Sequence, residues 1–318
     1  MSQFFIIAGS RNLFKDILRW LLTPFHASVA SIILFFIKPK RTTHKYEVAI
    51  CGLFKNEARF LSEWINYHLS IGVDHFYMYN NNSDDNYLQV LSKYIESGIV
   101  DLIDWPQKYP QMPAYTDCYT KYRTESKWIG FIDLDEFVCP KYEYDIKEWL
   151  AKYNNYPSVL LYWKSFGTGG NLKHDDNKFV IEQYTQCFPK LMNMGKLFLN
   201  TAFEFTKFNN PHIISAQISI LGFSIDIPPI NEYKHFVCFG LHRVPCFNKE
   251  ISIQLNHYWS KAHEIFIYNK TVKTDVFSKE NEDIDKYLLL NPNEKKCITK
   301  DYVILRFLLD LNLKIKNT

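Results

Sequence analysis

Residues 127–136 read KWIGFIDLDE, an apolar run from Lys127 to Ile132 that stops on Asp133-Leu134-Asp135-Glu136. A short apolar run ended by acids is the pattern of a buried strand whose carboxyl end reaches the edge of a sheet. Side chains alternate with period two along an extended segment, so Asp133 and Asp135 are expected on one side, where both can face one cation. Unpaired carboxylates at such an edge are costly, and they call for a metal, a cationic partner or protonation. A D-x-D alone is a weak signal. The chain supplies its own control in Asp283-Ile284-Asp285, which follows no apolar strand and reads as a solvated turn.

Outward from this strand, helical and extended patterns alternate. Tyr46 to Phe54 (YEVAICGLF) reads as a buried strand running into Asn56, an expected N-cap, and then a helix with Phe60, Leu61, Trp64, Ile65, His68 and Leu69 on one face. Gly72 ends that helix. A strand from His75 to Tyr79, a polar turn over 80–85, a helix over 86–96 closed by Gly98, a strand over 99–105 and a helix over 114–125 follow. This order predicts an α/β domain with a mostly parallel sheet and flanking helices. Ligands of open parallel sheets bind beyond the carboxyl ends of the strands, so loops 55–57, 80–86 and 133–136 form one candidate site. After Pro140 the regularity weakens: a helix over 145–153, a strand over 158–163, a glycine loop over 166–170, then short strands with long connections over 178–257.

Of 318 residues, 47% are hydrophobic, 17% aromatic and 22% charged, which excludes a disordered or low-complexity chain. Lys+Arg 37 against Asp+Glu 34 leaves no basic footprint for a nucleic-acid partner. The seven cysteines contain no C-x-x-C pair, so they read as free buried thiols of a reducing compartment.

Residues 1–42 differ from the rest. The stretch 20–37, WLLTPFHASVASIILFFI, is about as long as the shortest membrane span but is interrupted by Pro24, His26, Ser28 and Ser31. It reads as a membrane-associating helix, interfacial rather than spanning, with no small-residue cleavage site after it. The flanking lysines and arginines lean toward a cytoplasmic body, peripheral at the membrane; a type II anchored luminal enzyme is the alternative. Residues 43–270 form the expected catalytic domain. A charged linker and a C-terminal helix (YVILRFLLDLNL, 302–313) complete the chain over 271–318, that helix covering the N-terminal one or sharing its surface.

The chemistry suited to paired carboxylates at a sheet edge is transfer from a diphosphate leaving group, where Mn2+ or Mg2+ fits an oxygen-ligand site better than zinc. Several segments, in order, resemble glycosyltransferase family 92 and its family-2-like bacterial relatives. They are Phe54-Lys55-Asn56-Glu57, residues 63–68 and 71–77, Tyr79 to Asp85, Gln111, Ala114-Tyr115, Cys118, Lys127 to Phe137, and Pro140. Trp163, Phe166-Gly167, Gly169, Pro211-His212 and Asn256 to Lys261 continue the resemblance, with Ala262 departing from it.

The resemblance implies a Rossmann-like GT-A fold, a nucleotide-sugar donor (often UDP-linked), a divalent metal and inversion at the anomeric carbon. It implies that Lys55, Asn56 and Glu57 flank the nucleotide, that Asn82, Ser83 and Asp85 contact base or ribose, and that Gln111 belongs to the donor site. It also implies that Asp133 meets ribose or metal, that Asp135 ligates the metal, and that either His212 or His257 completes the shell. Lys261 would pair with phosphate. An inverting transfer needs a base for the acceptor hydroxyl, and Asp175, Asp176, Glu182 and Glu204 follow the glycine loop where an acceptor approaches. The expected function is metal-dependent transfer from a UDP-sugar to a glycan or glycolipid, as in polysaccharide biosynthesis at a membrane surface. A noncatalytic glycan-binding or scaffold protein with a degenerate transferase fold is the alternative. A metal-dependent phosphoesterase would need a denser Asp/His set.

Overall fold

The computed structural model describes residues 4–5, 13–39, 42–238, 250–271 and 294–317. Its centre is an eight-stranded sheet built from β1 (Tyr46–Phe54), β2 (His75–Asn80), β3 (Val100–Asp104), β4 (Ser126–Phe131), β5 (Glu136–Pro140), β6 (Ser158–Ser165), β7 (Gly195–Asn200) and β8 (Ile253–His257). The spatial order is β3-β2-β1-β4-β7-β6-β8-β5. Six strands run one way, and β7 and β5 run against them. The expected mostly parallel α/β architecture is therefore present, with two reversals that the alternating pattern did not contain.

Alternation along β1 divides the core. Val48 and Ile50 join Trp64, Met78 and Phe137 on one face, while Ala49 and Cys51 join Tyr77, Tyr115 and Phe131 on the other. Helices α2 (Ala58–Ser70) and α3 (Tyr87–Glu96) cover the first face, and α4 (Gln111–Tyr122) covers the second. The N-terminal helix α1 (Leu13–Phe36) packs Ala30, Ile33 and Leu34 into the second face. The C-terminal helix α5 (Leu308–Asn317) follows a turn of 3-10 helix at Val303–Phe307 and buries Phe307 and Leu311 in the first face, beside α2. The expectation that the two terminal helices cover one another is thus corrected, because their apolar stripes enter opposite faces of the sheet. The charged stretch 273–285, with Asp283 and Asp285, and Cys246 lie outside the described residues.

Three local readings also change. Asn56 does not cap α2: it takes a left-handed φ of 52°, and the helix start is held instead by the Asp85 carboxylate, which accepts from Ala58 N–H at 2.8 Å. Helix α4 begins at Gln111, three residues earlier than the periodicity placed it. The segment 132–135 is a turn rather than extended chain, closed by a Glu136 N–H to Asp133 carbonyl bond of 3.0 Å. Trp64 of α2 braces this turn, its indole N–H donating to the carbonyls of Asp133 (3.1 Å) and Glu136 (2.8 Å).

His68 in α2 is fully buried, its Nδ1 2.8 Å from the Trp64 carbonyl and its Nε2 accepting from Val138 N–H at 3.3 Å. Burial lowers its pKa to about 3. Its contribution to stability is complete above the unfolded value near 6.5 and is lost as pH falls toward 3, because the unfolded chain binds the proton first. We expect stability to fall by about 1.4 kcal/mol per pH unit from this residue below pH 6. The slope of urea midpoint against pH should flatten in His68→Gln; an unchanged slope would refute the assignment.

Candidate donor and metal site

Parallel strands deliver their carboxyl ends to one edge of the sheet, and the reversed strand β7 delivers its beginning to the same edge. There the loops following β1 and β2 are bonded into one ledge. Asn56 N–H donates to Ser83 Oγ (2.9 Å), and Asp84 N–H donates to Asn56 Oδ1 (2.9 Å). Asn82 takes a φ of 54°, and Ser83 N–H is anchored on Asn80 Oδ1 at 3.0 Å. Lys55, Asn56, Glu57, Asn82, Ser83 and Asp85, expected around a nucleotide, therefore share one continuous surface. Asn56, Ser83 and Asp85 are its structural ties.

The two aspartates turn to different partners. Asp133 Oδ1 accepts from Gln111 Nε2 (3.2 Å) and Tyr115 Oη (3.1 Å), and its Oδ2 lies 2.7 Å from Lys196 Nζ. Lys196 is almost wholly buried. Burial alone would lower its pKa, but Asp133, Tyr115 and Glu136 raise it well above 10.5, so it stays a cation. Lys196 is the second residue of β7. Next to it, Gly195 packs so closely that an added Cβ would stand 1.7 Å from the Leu161 carbonyl oxygen.

Asp135 Oδ2 faces His257 Nε2 at 3.4 Å. The strand register explains the meeting: His257, at the end of β8, lies opposite Glu136. Burial would raise the Asp135 pKa, but His257, Lys261 and Lys196 together hold it well below the usual carboxylate range. The reverse holds for His257, where burial works against protonation and the Asp135 carboxylate outweighs it, raising the pKa above 6.5.

Behind this pair sits Trp163. Its indole N–H donates to Glu136 Oε1 at 2.6 Å, and its ring lies 4.6 Å from His257 and 4.9 Å from His212. Glu136 is fully buried and also accepts from Asp133 N–H at 2.9 Å. Burial raises its pKa to about 8, with Asp133 and Asp135 adding to the rise and Lys196 opposing it. His212 bonds the Gly195 carbonyl through Nδ1 (2.8 Å), and burial together with Lys196 lowers its pKa to about 4, leaving a neutral ring. Lys261, with a φ of 48° and 2% exposure, rests its ammonium 4.6 Å from the Phe60 ring centroid and makes no hydrogen bond or close ion pair among the described residues.

Among the described residues no three His, Cys, Asp or Glu side chains group closely enough to hold a metal by themselves. The Asp135–His257 pair nevertheless fits a hard divalent cation. It supplies one carboxylate and one imidazole, and Mg2+-type sites take their remaining positions from substrate phosphates and water. Asp133, with both oxygens engaged by Gln111, Tyr115 and Lys196, is placed as a fixed anion beside that pair.

The four candidate bases stand apart from this cluster. Asp175 accepts from Asn177 and pairs with Lys178, Asp176 pairs with Arg59, and Glu182 accepts from Phe179 N–H at 3.0 Å to cap the short helix Val180–Gln183. Glu204 pairs with Arg123 at the far end of α4, about 18 Å along the helix from Gln111 at 1.5 Å per residue. Sequence reasoning gave no role to Lys196, Tyr115, Glu136 or Trp163. Tyr115, Glu136 and Trp163 lay within quoted motifs, but an isolated lysine on an antiparallel strand left no signal.

An α/β sheet that gathers a carboxylate–histidine pair, a buried lysine and two polar loops at one edge has the architecture of the GT-A class of glycosyltransferases. The family model of glycosyltransferase family 92 matches residues 44–237, and the chain belongs to that family. A glycosyltransferase family 92 protein of Ricinus communis is 32% identical over 244 residues, covering 74% of this chain and 40% of that protein. A galactan beta-1,4-galactosyltransferase of Arabidopsis thaliana, GALS2, is 30% identical over 111 residues, 31% of this chain and 21% of its own. The chain thus spans under half the length of these curated relatives. Among solved structures, S. aureus TarS in complex with UDP-GlcNAc aligns with a TM-score of 0.33 at 15% identity, covering 49% of this chain and 46% of TarS.

Proposed function

We propose that this chain transfers a sugar from a UDP-linked donor, with Mn2+ or Mg2+, to a hydroxyl of a glycan or glycolipid, with inversion at the anomeric carbon. The observation that carries the reading is the Asp135–His257 pair, with the buried Lys261 ammonium near it, at the carboxyl edge of the sheet. A divalent cation held there would neutralise charge gathering on the diphosphate as the sugar departs. Lys261, a buried ammonium near Asp135 with no hydrogen bond or close ion pair among the described residues, is placed to take the diphosphate's remaining charge. Lys196 holds the Asp133 carboxylate at the side of the donor ribose, and Gln111 and Tyr115 fix its rotamer. Trp163, tied to Glu136, keeps the His257 and His212 rings in place. Asp175 and Asp176 remain the proposed source of the acceptor base, because their loop reaches Phe60 through the His174 ring at 5.3 Å, and Lys261 rests on Phe60. Cys51, Cys118, Cys139 and Cys187 are free and buried, which supports work in a reducing compartment, at the cytoplasmic side of a membrane.

The test is thermal shift with a panel of nucleotide sugars, UDP-galactose first because of the galactan galactosyltransferase relative, in Mn2+, in Mg2+ and with chelator. Metal-dependent stabilisation by one donor is expected, on the order of 2.7 kcal/mol at a hundredfold excess over Kd. No response from folded protein to any nucleotide would overturn the reading in favour of a glycan-binding protein.

A further inference from the structure

Among the described residues, helix α1 is covered on one side only. Thr23, Ala30, Ile33 and Leu34 are buried, while Ile17, Leu18, Leu21, Leu22, Phe25, Ile32, Phe35 and Phe36 are exposed, the three phenylalanines each at least 70% so. At 100° per residue these eight fall within an arc of ~140°, an apolar stripe interrupted by the exposed Ser28, along a helix of about 36 Å. No described helix is long and apolar enough to cross a membrane.

A second element carries the same signature independently. The hairpin of strands Ala216–Ile220 and Phe223–Ile227 stands outside the central sheet and packs on α1, with His26 Nε2 3.1 Å from the Asp226 carbonyl oxygen. Its tip, turned by Leu221 and Gly222 at positive φ, exposes Leu221 at 94% and Phe223 at 75%. Among the described residues these large apolar side chains at the hairpin tip are left to solvent. Charge selects among possible occupants: residues 11–45 hold Arg11, Lys15, Arg19, Lys38, Lys40, Arg41 and Lys45 against a single acid, Asp16. Lys38 lies 5.4 Å from the Phe35 ring, an ammonium beside the apolar stripe.

The geometry points to an anionic lipid surface as the occupant. Helix α1 lies in the interface with its apolar stripe among the acyl chains, its basic flanks meet the headgroups, and the Leu221–Phe223 tip is a second insertion point. This rests on the membrane-face reading above and not on the transfer chemistry.

Flotation of the full chain with vesicles of phosphatidylcholine, alone or mixed with phosphatidylglycerol, tests it. The wild type should float with the mixed vesicles, more weakly with phosphatidylcholine alone, and less at high salt. Phe25→Ser with Phe35→Ser and Phe36→Ser, and separately Leu221→Ser with Phe223→Ser, should each weaken partitioning at least tenfold. All these side chains face solvent, so melting temperature and the nucleotide-dependent thermal shift should be preserved. Wild type and variants floating equally would overturn the docking surface while sparing the membrane reading. A wild type that binds no vesicle would overturn both, while the nucleotide shift still reports on transfer. A concentration-dependent dimer dissolved by the α1 substitutions, without flotation, would replace the lipid by a second copy of the chain.

Discussion

Asp135→Ala should lower metal-dependent donor turnover by about 10³-fold or more, the scale of losing a principal electrostatic contact to the leaving group. The expectation follows from the division of labour between the aspartates. Asp133 is saturated by Gln111, Tyr115 and Lys196, whereas among the described residues the close side-chain partner of Asp135 is an imidazole at 3.4 Å, which a cation can displace. Because the His257 pKa is raised, cation and proton compete for the pair, and metal affinity should strengthen as pH rises. The substitution removes no core packing, so the melting temperature without nucleotide should hold. Turnover and manganese titration on the folded variant decide the matter, and full turnover would remove Asp135 from the site.

Lys196→Met should cost about 3 kcal/mol of stability, because it strips the cation from a carboxylate at the edge of the core. Removing both members of such a pair is often close to neutral, so Lys196→Met with Asp133→Asn should recover most of the loss while donor binding stays absent. Urea unfolding of the two single variants and the double variant measures the coupling. If Lys196→Met alone stays within about 0.5 kcal/mol of wild type, the range of an ordinary surface change, the pair does not neutralise Asp133 as described.

The half of the molecule readable in advance is the half in which each strand is followed by its own helix. There, local periodicity and punctuation by Gly72 and Gly98 reflect real connections, and the three suspect loops meet at one edge as parallel topology requires. Beyond Pro140 the informative contacts are between distant segments. Lys196 finds Asp133 because β7 runs backwards between β4 and β6, and His257 finds Asp135 because β8 pairs with β5, a strand the pattern passed over. No local spacing encodes those meetings. The D-x-D was noticed for the right edge but with the wrong geometry, since a turn sends its two carboxylates to separate partners.

The bonds joining the loop after β1 to the loop after β2 have a bearing on how the protein could change its donor. A nucleotide arriving there meets a surface whose backbone is already tied through Asn56, Ser83 and Asp85, so little loop entropy remains to be lost on binding. Such a surface favours one nucleoside shape and resists retuning by single substitutions. The opposite flank is braced in the same way, Thr168 N–H and Ser260 Oγ both bonding Glu294 and His263 N–H bonding the Asn171 carbonyl, so the glycine loop and the segment around Lys261 are equally preset.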